Sequence, residues 1–256
     1  MPAAVRTTAR IAKLESTGTW FSGPDRGTGA SMSDDAKKAA ARAALQFVPD
    51  SGVVGLGTGS TATHFIDAIA ELVRQGRRLS AVPTSEQSRA QATALGIPLL
   101  DEDGPWTIDV CVDGADEVSE ELDLIKGGGG AHTREKIVNQ ASALNVIVID
   151  ESKLSRHLGQ KWPVPVEVLA FAHKATARAL GVLGEVTQRQ KGGSPWRTDS
   201  GNYIYDVRIG VIEDPWVFDT ELRSTPGVVE TGLFCGRADV ILVAGPAGVR
   251  EIRRAE

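Results

Sequence analysis

The amino-acid sequence predicts an α/β protein with a doubly wound, mostly parallel, Rossmann-like sheet, into which a smaller α+β, ferredoxin-like domain is inserted. Two observations predict the larger sheet: short apolar segments alternate with amphipathic helical segments, and glycine-rich turns follow the apolar segments. A third observation predicts the insertion, because the pattern changes to β-α-β-β-α-β between residues 160 and 233 and then returns to an apolar strand.

The elements of the larger sheet follow one another in a regular alternation. DDAKKAAARAALQFV (residues 34–48) begins with two acids and continues with strong helix formers, so it predicts a helix. VVGL (residues 53–56) is a short apolar run, and apolar residues recur at helical spacing after the following GTGST, which predicts strand, glycine turn and helix. The same reasoning predicts strands at 79–82, 108–112 and 146–149 and helices at 86–95 and 134–144. Such an alternation implies a parallel sheet covered on both faces.

The segment between residues 160 and 233 predicts the small domain. Its order is a strand in PVEVLAF, a helix in ATARALGVL, strands in EVTQRQ and YIYDVRI, a helix in DPWVFDTELRS and a strand in GVVETGLF. ADVILVAG (residues 238–245) then predicts another buried parallel strand of the larger sheet. The predicted domains are a leader or extension (1–31), a main α/β domain carrying the active site (32–159 plus 234–256) and a small α+β domain (160–233).

Composition limits the possible functions. The formal net charge of −5 argues against nucleic acid as the main partner, because phosphate backbones are met with clustered lysine and arginine. No apolar stretch has the length of a membrane span, so we expect no membrane partner. Cys111 and Cys235 are the only cysteines, and Cys111 lies in an apolar run, so free thiols are expected rather than a disulfide, which fits a reducing cytoplasm. Residues 1–31 are rich in Ser, Thr and Gly, which is compatible with a transit peptide, an expression leader or an upstream start codon with the true start at Met32. We favour one of the last two.

The first candidate site loop is GLGTGST (residues 55–61), between the first predicted strand and its helix. Glycines let backbone N–H groups approach an anion, the hydroxyls of Thr58, Ser60 and Thr61 add donors, and the helix directs its positive end there. The loop lacks the Gly-Lys-Ser/Thr of a P-loop. It also lacks the third glycine of the dinucleotide fingerprint, where Ser60 stands, which argues against an NAD-linked oxidoreductase. The alternative is a tight turn without a ligand.

The second loop is Asp113-Gly114-Ala115-Asp116, after the strand IDVCV. Two carboxylates at a strand end can accept hydrogen bonds from sugar hydroxyls or ligate a hard cation. A metal is the weaker option, because no histidine or further acid follows at ligand spacing, and His132 reads as a lone loop residue. For an isolated DGAD, an Asp-Gly turn is the better interpretation.

The third loop, IKGGGGAHTREKIV (residues 125–138), combines a lysine, four glycines and a carboxylate. The glycines leave bare backbone against which a substrate can lie. Thr133 is suited to cap the next helix, which places Glu135 in the first turn. Glu135 is then either a functional carboxylate or a first-turn acid that complements the helix dipole. A fourth loop contains Lys153, which is either a solvated charge or a phosphate ligand.

Taken together, these stretches resemble a ribose 5-phosphate isomerase of the A type. The similarity runs from about residue 33 to the C-terminus, and its order and spacing are specific. It rests on GLGTGSTA, DVCVDGADEV, LIKGGGGAHTREKIV, DESK, PVEV, TDSGN, PGVVETGLF and ADVILVAG. The chain departs from the family at Gly130, where alanine is usual, and at His132, where an apolar residue is common.

The resemblance implies interconversion of D-ribose 5-phosphate and D-ribulose 5-phosphate through an enediolate, in the pentose phosphate pathway, with no metal and no cofactor. It implies Glu135 as the proton-accepting base, with Lys126 stabilising negative charge and Asp113 assisting proton movement between the oxygens. It also implies a homodimer, with a homotetramer as the alternative. The substrate-binding residues it implies are Thr58, Gly59, Ser60, Thr61, Asp113, Gly114, Ala115, Asp116, Lys126, Gly127, Gly128, Gly129 and Lys153, and Lys37 is a less specific match. The alternative function is a catalytically silent sugar-phosphate-binding regulator of related fold.

Overall fold

The computed structural model describes residues 34–254. The predicted leader (1–31) therefore lies outside the described residues. Within them the α-helices are α1 (Asp34–Ala43), α2 (Ser60–Arg74), α3 (Glu86–Ala94), α4 (His132–Gln140), α5 (His173–Leu180) and α6 (Pro215–Arg223). The strands are β1 (Ser51–Leu56), β2 (Arg78–Pro83), β3 (Ile108–Asp113), β4 (Glu117–Val118), β5 (Leu124–Ile125), β6 (Ser142–Asp150), β7 (Val164–Val168), β8 (Glu185–Gln188), β9 (Gln190–Lys191), β10 (Ser194–Pro195), β11 (Tyr203–Arg208), β12 (Val228–Thr231), β13 (Leu233–Phe234), β14 (Val240–Gly245) and β15 (Gly248–Arg253).

The main sheet has six strands in the order β15-β14-β6-β3-β1-β2. All neighbours are parallel except the β14/β15 pair. The chain leaves β1 for β2 on one side and then returns to β3 on the other side of β1. The carboxyl ends of β1 and β3 therefore flank a topological switch point, which is where open α/β sheets bind ligands. The predicted mostly parallel α/β sheet is confirmed.

Alternate residues of these strands enter separate cores on the two faces of the sheet. One face is covered by α1 and α2, whose apolar residues pack on Val110, Val146 and neighbouring strand residues. On the other face, Val138 of α4 packs near Cys111, and a three-stranded antiparallel sheet in the order β13-β5-β4 covers β6 and β14. The sequence did not predict this small sheet, because strands of two residues carry no periodicity.

Residues 164–231 form a second, four-stranded sheet in the order β12-β7-β11-β8, with every pair antiparallel. The chain order β7, α5, β8, β11, α6, β12 is the predicted β-α-β-β-α-β order. Leu180 of α5 and Leu222 of α6 lie fully buried in its core. The division into domains at residues 160 and 233 stays a prediction.

Two elements differ from the predictions. The helix predicted over residues 134–144 ends at Gln140, and β6 begins at Ser142, since Leu144 is in register with Val110 of β3. Sheet pairing over a long sequence separation outweighs the local pattern here. The edge strand β15 was not predicted, because its alternating exposed charges are typical of an edge and do not form an apolar run.

Candidate active site

The loop after β1 presents the start of α2 to the switch point. Gly59 is the N-cap residue with φ 113°, so the helix begins at Ser60 and its first-turn amides have no acceptor within the helix. The sequence predicted a third donor in the Thr58 hydroxyl, but this group donates to Ser85 Oγ at 2.8 Å, at the N-cap of α3. The anion-binding capacity of the loop therefore lies in α2 itself.

The loop after β3 places the Asp113 carboxylate below the surface. Its Oδ1 accepts hydrogen bonds from Thr58 N at 3.0 Å and Gly114 N at 2.8 Å, and the residue is 4% exposed. A Cβ on Gly57 would lie 2.2 Å from this oxygen, so glycine is required there for the two loops to meet. Asp113 thus links the loops that follow β1 and β3.

Lys126 follows β5 and is held by two carboxylates. Its Nζ lies 3.0 Å from Asp113 Oδ2 and 3.1 Å from Glu135 Oε2, and it donates to Gly114 O at 2.6 Å. The three side chains are only 4–5% exposed. The contact with Glu135 is an ion pair rather than an aligned hydrogen bond, so Oε2 has no hydrogen-bond partner among residues 34–254. Glu135 is therefore buried, and one of its carboxylate oxygens has no hydrogen-bond donor in the described part of the chain.

The environment shifts the pKa values of this group. Burial raises the pKa of Glu135 and the neighbouring Asp113 raises it further, while Lys126 opposes the shift. Burial alone would lower the pKa of Lys126, but Asp113 and Glu135 outweigh it and raise the value. Lys126 is a fixed cation, and Glu135 is a carboxylate that accepts a proton more readily than an ordinary glutamate.

The glycine run forms one wall of the site, and three of its four glycines are required by geometry. Gly127 has φ 105°, and a Cβ there would lie 2.7 Å from His132 Nδ1. Gly128 donates its amide to Asp116 Oδ2 at 2.6 Å, and a Cβ there would lie 2.6 Å from the other oxygen of this carboxylate. Gly130 has φ 80° and closes a turn through Gly130 N and Gly127 O at 2.9 Å. Close approach and left-handed backbone therefore explain the run.

His132 differs from its predicted place in a loop. It lies in the first turn of α4, is fully buried under Gly127, and its Nε2 lies 3.3 Å from Glu230 O. Burial lowers its pKa to about 3, and Lys136 contributes to the shift. The imidazole is therefore neutral and enclosed. Thr133, the predicted cap, makes no capping bond, and α4 begins after Ala131.

A cavity of about 180 Å³ lies between these loops. All the predicted site residues line it except Asp113, which pairs with Lys126. Lys37 also lines it, as does Asp150 at the start of the predicted loop that contains Lys153. Ala62, Val148 and Ile149 line it as well and were not predicted as site residues. The rule that ligands bind at the carboxyl ends of parallel strands indicates the position of Val148 and Ile149 near the end of β6.

Arg189, which directly follows β8 of the four-stranded sheet, was also missed. It pairs with Asp206 and donates from Nη1 to the carbonyl oxygen of Gly127, and to that of Gly128 at 3.3 Å. It therefore holds the backbone of the glycine wall without lining the cavity. No motif marked it, because an arginine in a β-rich segment is usually a solvated charge.

A buried carboxylate, a fixed lysine and a helix start that suits an anion share one cavity at the switch point of a parallel sheet. Together the fold and the site define an α/β enzyme for a small, negatively charged substrate. Within residues 34–254 no three His, Cys, Asp or Glu side chains are grouped so that they could hold a metal ion. A metal-free and cofactor-free reaction stays a prediction.

Comparison with known proteins identifies the family. Residues 80–248 match the family model of ribose 5-phosphate isomerase A (phosphoriboisomerase A). The chain is 45% identical to ribose-5-phosphate isomerase A of Thermococcus kodakarensis over 226 residues, 86% of this chain and 99% of the relative. The chain belongs to the ribose 5-phosphate isomerase A family.

Solved structures agree with this assignment. The ribose 5-phosphate isomerase A of Methanocaldococcus jannaschii matches with a TM-score of 0.81 at 40% identity, over 86% of this chain and 99% of that one. A D-ribose-5-phosphate isomerase in complex with phospho-erythronic acid matches with a TM-score of 0.82 at 40% identity, with the same coverage. Among the described helices, none has both the length and the apolar character needed to cross a membrane.

The geometry of the glycine wall predicts that Gly127→Ala destabilises the fold. Alanine at φ 105° is strained, and its Cβ would press on His132, so we expect a loss of about 1–3 kcal/mol in the free energy of unfolding. Chemical denaturation measures this loss. Gly129→Ala is the matched control, because a Cβ there would lie 3.7 Å from Thr58 Cγ2 and should leave stability nearly unchanged. Equal stability of the two variants would contradict the prediction.

Proposed function

We propose that this protein interconverts D-ribose 5-phosphate and D-ribulose 5-phosphate, an aldose–ketose isomerisation of the pentose phosphate pathway. The observation that carries the proposal is the buried Glu135 carboxylate, which lines the cavity 3.1 Å from Lys126 Nζ. Membership of the ribose 5-phosphate isomerase A family supports the reaction. The solved relative in complex with phospho-erythronic acid, a phosphorylated sugar acid, supports the class of ligand.

Glu135 is the proposed base. Isomerisation moves a proton between C2 and C1, so one carboxylate beside the planar enediolate can remove it from one carbon and return it to the other. The raised pKa of Glu135 suits this task, because a carboxylate with a higher pKa is a stronger base and is more readily reprotonated near neutral pH. Lys126 opposes the rise in the pKa of Glu135 and so favours the ionised form that takes the proton.

Lys126 is the proposed electrostatic stabiliser. When Glu135 takes the proton it becomes neutral, and the negative charge moves to a substrate oxygen. If that oxygen lies beside Lys126, the ammonium group loses the charge of Glu135 and gains the charge of the substrate oxygen. The ammonium group then needs little reorganisation, because it stays beside a negative charge. Preorganised stabilisation of this kind is worth roughly 2.7–4 kcal/mol for one well-placed donor.

The remaining cavity residues bind the substrate in this proposal. The first-turn amides of α2, with Ser60 and Thr61, hold the 5-phosphate. Lys37 and Lys153 supply positive charge at the same cavity. Asp116 and the glycine wall lie against the sugar hydroxyls. Binding the phosphate and the hydroxyls together holds the reacting carbons against Glu135.

Asp113 acts mainly on its neighbours in this proposal. It does not line the cavity and pairs with Lys126, so it holds the ammonium group in place and makes ionisation of Glu135 less favourable. Its predicted part in moving a proton between the substrate oxygens stays a prediction.

We also propose a cytoplasmic homodimer without a nucleic acid partner. In the described part of the chain, β12 is an edge strand of the four-stranded sheet and Val229 is 41% exposed. Only the first part of GVVETGLF is available for such a contact, because Leu233 and Phe234 are buried in the chain's own core. A tetramer remains the alternative assembly.

Activity in EDTA tests the reaction. We expect the purified protein to convert ribose 5-phosphate without metal or nucleotide, and Glu135→Gln to lower kcat by about 10²–10⁴-fold, since the shape is kept and the base is lost. A coupled assay measures both. Glu221→Gln, on the exposed surface of α6, is the control. Binding without turnover in the wild type would favour the regulator, and near wild-type turnover of Glu135→Gln would refute its assignment as base.

The pH dependence tests the electrostatics of the buried group. Glu135 acts ionised, so kcat/KM should fall as the pH falls through its raised pKa, at a midpoint above the ordinary value of 4.5. Asp113→Asn removes a negative neighbour that raises this pKa, so the acidic limb should move to lower pH in the variant. Profiles of kcat/KM against pH for both proteins measure the shift. A limb that stays in place or moves to higher pH would rule out this role for Asp113.

Light scattering on the purified protein tests the assembly. We expect twice the mass of one chain for the wild type, and the mass of one chain for Val229→Arg, because a buried unpaired arginine opposes association. The wild type at the mass of one chain would overturn the dimer, and four times that mass would establish the tetramer instead.

A further inference from the structure

Three of the stretches that resemble the family have no part in the chemistry described above. They are PVEV (residues 165–168), TDSGN (residues 198–202) and PGVVETGLF (residues 226–234), and all belong to the region of the four-stranded sheet and its extension. In the structure PVEV and PGVVETGLF each supply a polar group that contacts the first turn of α4, the turn that carries Glu135. TDSGN supplies donors to Glu167, the carboxylate of PVEV that makes this contact.

Glu167 of PVEV is at the centre of this arrangement. It is 1% exposed on β7, and its Oε1 accepts hydrogen bonds from Thr198 Oγ1 and Asn202 Nδ2, both at 2.9 Å. Its Oε2 accepts a hydrogen bond from Thr133 Oγ1 at 2.5 Å. None of the ion pairs formed by residues 34–254 includes Glu167. A buried carboxylate is costly unless its oxygens are satisfied, so these neutral donors hold it in one orientation.

A second carboxylate of the same sheet holds α4 one turn further on. Glu230 of β12 is the register partner of Glu167, so the two side chains share a face of the sheet. Lys136 Nζ lies 2.9 Å from Glu230 Oε1 and donates to Thr231 O at 2.8 Å. Thr133 and Lys136 are three residues apart and therefore lie on one face of α4.

Glu135 lies between these two residues in sequence but faces away from the four-stranded sheet. It lines the cavity and pairs with Lys126, whereas Thr133 and Lys136 face Glu167 and Glu230. The direction of the Glu135 side chain therefore depends on where α4 lies against the four-stranded sheet and on its rotation about the helix axis.

We propose that Glu167 is a positioning residue for the isomerase reaction: through Thr133 it holds the start of α4 so that Glu135 points into the cavity. The inference rests on the proposed function, since it assigns Glu167 a task only if Glu135 is the base. Thr198 and Asn202 orient Glu167 by their hydrogen bonds. PVEV and TDSGN are thereby connected to the chemistry although neither touches the cavity residue that they support.

The consequence of releasing this contact is a misplaced base rather than a lost binding site. The phosphate and hydroxyl contacts proposed above come from α2, the loop after β3 and the glycine wall, none of which donates a hydrogen bond to Glu167. A displacement of about 1 Å at a reacting group can reduce the rate by 10²-fold. The effect is therefore expected in kcat and not in KM.

Thr133→Val tests the proposal, because it keeps the shape of the side chain and removes the donor to Glu167. We expect kcat to fall by about 10–10²-fold while KM changes by less than about threefold. Thr133→Ser restores the hydroxyl and should return kcat to near the wild-type value. Thr176→Val is the matched control: it removes a buried hydroxyl from α5 whose hydrogen bond goes to Pro226 O at 2.9 Å and not to α4. It should leave kcat unchanged.

A double variant shows whether the effect passes through Glu135. In the Glu135→Gln background there is no base to position, so adding Thr133→Val should cause little further loss. An equal fall in kcat in both backgrounds, an equal fall for Thr176→Val, or wild-type kcat for Thr133→Val would each overturn the inference. If the wild type itself does not isomerise ribose 5-phosphate, the proposed function fails instead, and this outcome is separate from the others.

Discussion

The structure depends on one buried cation. Lys126 is 3% exposed, and an ammonium group at this depth is tolerated only with opposite charges around it. Asp113 and Glu135 supply those charges at 3.0 and 3.1 Å, and they come from the end of β3 and the first turn of α4. Satisfying one lysine therefore brings together the carboxyl edge of the main sheet, the glycine wall and the helix that carries Glu135.

This arrangement leaves one negative charge in excess when all three groups are ionised. Burial and the proximity of two carboxylates make that excess unfavourable, and they raise the pKa of Glu135. Asp113 Oδ1 accepts hydrogen bonds from the amides of Thr58 and Gly114. Two carboxylates with different surroundings thus acquire different tasks. Asp113 is the more fully hydrogen-bonded of the two, and the less engaged Glu135 is available to exchange a proton.

The four-stranded sheet acts as a support for this site. It reaches the glycine wall through Arg189 and reaches α4 through Glu167 and Glu230. Cavity-lining loops have few contacts of their own, and glycine-rich segments lose much entropy on ordering. Contacts from a rigid antiparallel sheet to these segments explain how a loop with four consecutive glycines can form a defined wall.

The sequence by itself determined the features that depend on local order. Alternating apolar strands and helices predicted the parallel sheet, and the rule that ligands lie beyond strand ends located every cavity-lining loop, because chain direction fixes which loops share an edge. Only the tertiary structure decided that Asp113 pairs with Lys126 without lining the cavity, that Thr133 binds Glu167 rather than capping α4, and that Leu144 joins β6. These contacts join residues far apart in the chain or override local propensity. They depend on sheet register and on which face of α4 turns inward, and no local pattern encodes either.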